Sequence, residues 1–98
     1  MNRLEARLAE LAAAGQTITY GALAREMGWR VQDLTAALEA LMEIDAGKGH
    51  PLRAALCEGR LSAGMPGRGF FEKAAELGCD LSDPVAFVAQ TRAALRGW

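Results

Sequence analysis

The stretch Ile18–Ile44, ITYGALAREMGWRVQDLTAALEALMEI, decides how the rest of the chain is read. Thr17, Ile18 and Thr19 are β-branched and suit a short edge strand, whereas Leu23 and Met27 recur at helical spacing and face a common core. Gly28 ends that first helix, because glycine takes the left-handed conformation at a helix C-terminus without steric cost. A second helix follows at once, with Val31, Leu34, Leu38, Leu41 and Met42 on one stripe and Asp45 continuing its spacing. A short strand feeding two helices across a glycine turn is helix-turn-helix punctuation. Such units bind DNA most often, and also serve in modules that bind only protein.

Working outward, residues 2–14 form a helix with Leu4, Leu8, Leu11 and Ala12 on one face and Arg3, Glu5, Arg7 and Glu10 on the other. Asn2 is its N-cap and Gly15 its end. On the other side, the second helix of the unit stops at Ala46-Gly47, and Lys48, Gly49, His50 and Pro51 make a polar loop. Leu52–Cys57 reads as a strand, Glu58-Gly59-Arg60 as a turn and Leu61–Ala63 as the returning strand, a hairpin in the position of a wing. Arg60 then sits at the tip, where a solvated turn arginine and an outward-reaching contact are equally good readings. The glycine-rich link Gly64–Gly69 lacks the Lys-Ser or Lys-Thr pair of a phosphate loop, so its glycines serve close backbone passage. A helix from Phe70 to Leu77 ends at Gly78, with Phe70 and Phe71 as core anchors. Asp83 and Pro84 open a last helix carrying Val85, Val88, Arg92 and Leu95 along one line, packed on the first helix. Trp98 reads as a packing residue against that first helix or as an exposed aromatic for a partner.

The fold class is therefore α+β and mostly helical, a winged helix-turn-helix with additional helices at both ends, in one domain spanning residues 1–98. Cys57, Cys79 and the single histidine, His50, have no metal-ligand spacing, so neither a metal site nor a cofactor is expected. Both cysteines read as small buried apolar side chains. The absence of a signal sequence, a lipidation motif or a long apolar run predicts a cytoplasmic chain with no membrane partner. The alanine-rich, arginine-over-lysine composition has a bacterial character.

Residues Ile18 to about Phe71 resemble the DNA-binding half of the alkylguanine-DNA alkyltransferases and the alkyltransferase-like proteins. The likeness is carried by Thr19-Tyr20-Gly21-Ala22-Leu23-Ala24, by Ala37-Leu38, by Pro51 leading into a strand, and by Gly64 with Gly67. Small bacterial proteins with the same Thr-Tyr-Gly start and a Pro-Leu strand running to Pro-Gly-Arg-Gly-Phe are also similar. The resemblance implies a winged helix with Tyr20 near the DNA backbone and the second helix in the minor groove. In the family an arginine of that helix intrudes into the duplex when a base is flipped out. In the register set by Ala37-Leu38 its position holds Gln32, and Arg30 lies two residues earlier. The family's Pro-Cys-His-Arg nucleophile motif is absent. The comparable stretch is Ala55-Leu56-Cys57-Glu58, with the cysteine one place late and an acid where a base is required, so alkyl transfer is rejected and no catalytic residue is assigned.

Charge complicates the DNA reading. The formal net charge is -1, whereas phosphate neutralisation supplies most of a DNA binder's affinity. The second helix presents Gln32, Asp33, Thr35, Glu39 and Glu43, and its carboxylates oppose a phosphate-lined groove. The cations Arg25, Arg30, Lys48, His50, Arg53, Arg60 and Arg68 come from the turn, the following loop and the wing, and are expected to share an edge. The first hypothesis is accordingly a non-enzymatic protein that binds double-stranded DNA weakly, with Tyr20, Arg30, Gln32, Arg60 and Arg68 as contacts. The second is a protein-interaction module that keeps the shape and meets a protein partner along Glu39 and Glu43 or around Trp98.

Overall fold

A computed structural model describes residues 2–98, folded into five α-helices and two short strands. Helix α1 (Arg3–Ala14) starts in a capping box: the Asn2 side chain accepts from the Glu5 N–H at 2.8 Å while Glu5 reaches back to the Asn2 N–H. Gly15 ends it at φ 67°, left-handed as anticipated. Strand β1 (Ile18–Thr19) leads directly into α2 (Tyr20–Met27), which Thr19 caps by accepting from the Ala22 N–H. Gly28, at φ 75°, turns the chain into α3 (Val31–Gly47). Helix α4 (Arg68–Glu76) begins two residues earlier than the sequence suggested, and α5 (Pro84–Arg96) starts at the predicted Asp83 cap, whose side chain accepts from the Ala86 N–H.

The core is one continuous cluster. Leu4, Leu8 and Leu11 of α1, Leu23 of α2, Leu34, Leu38 and Met42 of α3, Phe70 and Ala74 of α4, and Val88 and Leu95 of α5 all meet around Ala55, Leu56 and Cys57. Helices α1 and α5 pack together, as the sequence implied. Two apolar positions of the expected stripes do not join: Val31 and Val85, each in the first turn of its helix, are exposed.

The hairpin read from Leu52 to Ala63 is the main correction. Arg53–Leu56 is a 3₁₀ turn, and only Cys57–Glu58 is strand, β2. It pairs in parallel with β1, Ile18 opposite Cys57 and Thr19 opposite Glu58. Ala54, Ala55, Leu56 and Cys57 are all buried, a pattern that a buried strand and a buried turn share, so distant partners decide between them. The Arg53 N–H is taken by the Asp45 carboxylate at 3.0 Å instead of a neighbouring strand. Leu61–Ala63 is not a strand either. Two successive turns, Ser62 N–H to Gly59 C=O at 3.2 Å and Met65 N–H to Ser62 C=O at 2.9 Å, close a loop there, and Ala63 and Gly64 both adopt positive φ.

Under the core, Asp45 is 1% exposed and accepts from the backbone N–H, Nε and Nη2 of Arg53. Arg53 Nη1 continues to Glu5 Oε1 at 3.0 Å, which joins α3, the 3₁₀ turn and α1 through one guanidinium. Among the described residues no helix is long and apolar enough to cross a membrane.

Candidate functional site

The starts of the helices differ in a way that defines the site. Asn2, Thr19 and Asp83 cap α1, α2 and α5 with side-chain oxygens, but α3 and α4 have no side-chain cap. The N-cap of α3 is Arg30, and the first residue of α4 is Arg68. A cation at a helix N-terminus opposes the macrodipole, and uncapped N–H groups beside a guanidinium make a donor set suited to an anion. At α3 the amides of Val31 and Gln32 have no acceptor among the described residues, and Gln32 is exposed beside them. Both arginines are only loosely held within the protein. Arg30 lies 3.5 Å from Asp33 and Arg68 3.7 Å from Glu72, with each side chain more than three-quarters exposed.

A cavity of about 220 Å³ lies between the body of α3 and the start of α4, lined by Thr35, Leu38, Glu39 and Met42 of α3, by Gly67, Gly69 and Phe70 at α4, and by Tyr20 and Ala54. Its walls are mostly apolar. Tyr20, at the first position of α2, holds the two sides together: its hydroxyl accepts from the Gly67 N–H at 2.9 Å. Burial pushes the phenol's pKa up, against the opposing effect of the Gly67 hydrogen bond. Gly67 fits closely there, since a Cβ would lie 3.3 Å from the Tyr20 ring and the ring would have to give by a few tenths of an ångström. Tyr20 is thus half-buried and structural as well as positioned on the site's rim. Thr35 donates its hydroxyl to the Gln32 C=O at 3.0 Å and is half-buried in the cavity's lining.

Of the residues singled out in the sequence, Tyr20 lines this cavity, whereas Arg30 and Gln32 lie at the start of α3 and Arg68 at the start of α4, between the lining residues Gly67 and Gly69. Arg60 is exposed on the loop that runs to Gly67 and makes no ion pair among the described residues. The broader basic edge does not form. Arg53 is engaged by Asp45 and Glu5, and Lys48 and His50 lie at the far end of α3, a 17-residue helix about 25 Å long. His50 instead packs its ring edge on Trp98, with centroids 4.3 Å apart, and Trp98 itself remains 72% exposed. The acidic face of α3 is also divided, because Glu43 pairs with Lys73 Nζ at 3.6 Å while Glu39 faces the cavity.

Sequence reasoning missed the cavity, since its walls come from separated segments, and missed Leu61, which it had placed in a strand. Cys57 is fully buried on β2, and burial pushes its thiol up to about 12 despite the nearby Arg92. Among the described residues no three His, Cys, Asp or Glu side chains gather into a metal-ligating group. No protein family, curated protein or solved structure matches the chain.

Proposed function

We propose that this chain is a helix-turn-helix protein of the alkyltransferase-like kind that binds double-stranded DNA without catalysing a reaction. The loop Gly59–Pro66 stands in the place of a wing. The observation that carries the reading is the pair of side-chain-uncapped, arginine-bearing helix starts, at Arg30 and Arg68, on the two helices that supply most of the cavity's lining. Two uncapped donor clusters, each beside a guanidinium, suit phosphate oxygens, while three other helices keep their starts capped and need no external anion. A buried Cys57 that stays protonated at neutral pH supports the non-enzymatic part.

The test is a fluorescence-anisotropy titration with a generic labelled duplex at low and near-physiological salt. Arg30→Ala and Arg68→Ala each weaken binding and lower its salt slope by about one. Unchanged binding in both variants removes the proposal. The exposure of Trp98 favours a second reading, a protein-interaction module of the same shape, which requires no DNA affinity even at low salt and loss of partner binding on Trp98→Ala.

A further inference from the structure

Leu61 is 95% exposed, more than any other large apolar side chain among the described residues. A lone surface leucine is ordinary, but this one stands on a loop built to hold still. Gly59 donates its N–H to the Met65 C=O at 2.9 Å and closes the base of the loop. Arg92 of α5 ties it to the 3₁₀ turn, giving Nη2 to the loop's Gly64 C=O at 2.8 Å and Nε to the Ala55 C=O of that turn at 2.7 Å. Ala63 accepts φ 50°, a conformation that costs an alanine free energy and that these contacts enforce.

The chemistry of the segment selects its partner. Gly59–Phe71 reads GRLSAGMPGRGFF, with Arg60 and Arg68 and no carboxylate. The loop runs directly into Gly67, which walls the cavity and bonds Tyr20, so its base adjoins the start of α4. An apolar tip on a rigid support, with a guanidinium directly beside it and another at the following helix start, suits an insertion between stacked bases while the cations meet the backbone.

We infer that Leu61 is a wedge residue that enters a base step of duplex DNA from the Gly59–Pro66 loop. The inference rests on the DNA-binding reading above and adds deformation of the duplex to it. Flexible TA steps are its preferred targets, because they unstack at least cost.

The experiment uses a short duplex with 2-aminopurine at a central TA step, following anisotropy and 2-aminopurine fluorescence together. The wild-type protein binds and raises the fluorescence through unstacking. Leu61→Ala binds about tenfold more weakly with an unchanged salt slope and no fluorescence rise, and Leu61→Met retains both properties. Thermal unfolding of the variants matches wild type, since the side chain is almost wholly outside the fold. If Leu61→Ala equals wild type while Arg30→Ala is weakened, the wedge is wrong and DNA binding stands. Failure of the wild-type protein to bind at low salt overturns both. A change in oligomeric state on Leu61→Ala, with DNA binding unaltered, assigns the residue to a protein contact and also overturns the wedge.

Discussion

Replacing Asp45 with asparagine isolates the interaction that fixes the segment the sequence misplaced. The carboxylate is 1% exposed and accepts from Arg53 at 2.8 Å through Nη2, at 3.1 Å through Nε and at 3.0 Å through the backbone. Asparagine keeps the shape, so no cavity opens, but it removes the charge and turns a donor toward the guanidinium. Breaking one side of a buried pair costs about 3–5 kcal/mol. Arg53 retains Glu5 at 3.0 Å and is partly solvated, which places Asp45→Asn near the lower end, about 3 kcal/mol. For a chain of this size that lowers Tm by more than about 10 °C. Urea unfolding followed by tryptophan fluorescence reads the change directly, with Trp98 packed on His50 beside the cluster as one of the two reporters. Adding Arg53→Met to Asp45→Asn leaves no unpaired charge at the buried site, so the double variant is more stable than the sum of the two losses. A loss under about 1 kcal/mol for Asp45→Asn, the size of an exposed ion pair, refutes the assignment of this cluster as the tie between α3, the 3₁₀ turn and α1.

Three further outcomes follow from the same geometry. The Asn2 N–H and then Arg53 hold the Glu5 carboxyl below its ordinary value of 4.5, so the stability it contributes is complete above that value and is lost as pH falls through the lower folded-state value; Glu5→Gln flattens this acid limb in a Tm-against-pH series. Native protein treated with a thiol reagent at neutral pH is labelled at half-buried Cys79, while Cys57 reacts only after unfolding, and rapid labelling of Cys57 in the folded chain contradicts its burial. Glu39 faces the cavity without an ion pair among the described residues, so Glu39→Gln removes a repulsion and tightens DNA binding severalfold, an effect that shrinks with added salt; weakened binding would place Glu39 among the contacts instead.

Where structure is set by neighbours in the chain, the sequence was readable. The Asn2 cap, the left-handed Gly15 and Gly28, and the Asp83-Pro84 start each depend on a few adjacent residues, and each was found where expected. The Arg53–Leu56 turn was not readable, because its determinants are distant: Asp45 takes its first N–H, Glu5 takes its guanidinium, and β1 pairs with the strand that follows it. A run of small and apolar residues after Pro51 fits a strand equally well until those partners are known. The candidate site divides in the same way. Arg30 and Gln32 could be proposed from their place at a helix start and Arg68 from its link after the wing, but the cavity needs Tyr20, Thr35 and Phe70 from three helices, and Leu61 was hidden by its reading as strand.

The net charge of -1 argued against DNA binding only as long as the charges were treated as one pool. Arg7 is paired with Glu26 and Glu10, Arg53 with Asp45 and Glu5, and Lys73 with Glu43. Arg3 and Arg92 donate to backbone carbonyls. These cations serve the fold, and most of their acidic partners lie in the same interior and α1-side contacts, where the charges cancel at short range. What remains is Arg30 and Arg68, exposed and loosely paired with Asp33 and Glu72, and Arg60, which makes no ion pair among the described residues, with Glu39 the carboxylate at the cavity. Three exposed cations set against three carboxylates give no local surplus, so the reading stands on weak, steeply salt-dependent binding that displaces two loose ion pairs: nanomolar affinity for a generic duplex at physiological salt would demand contacts that this face does not supply.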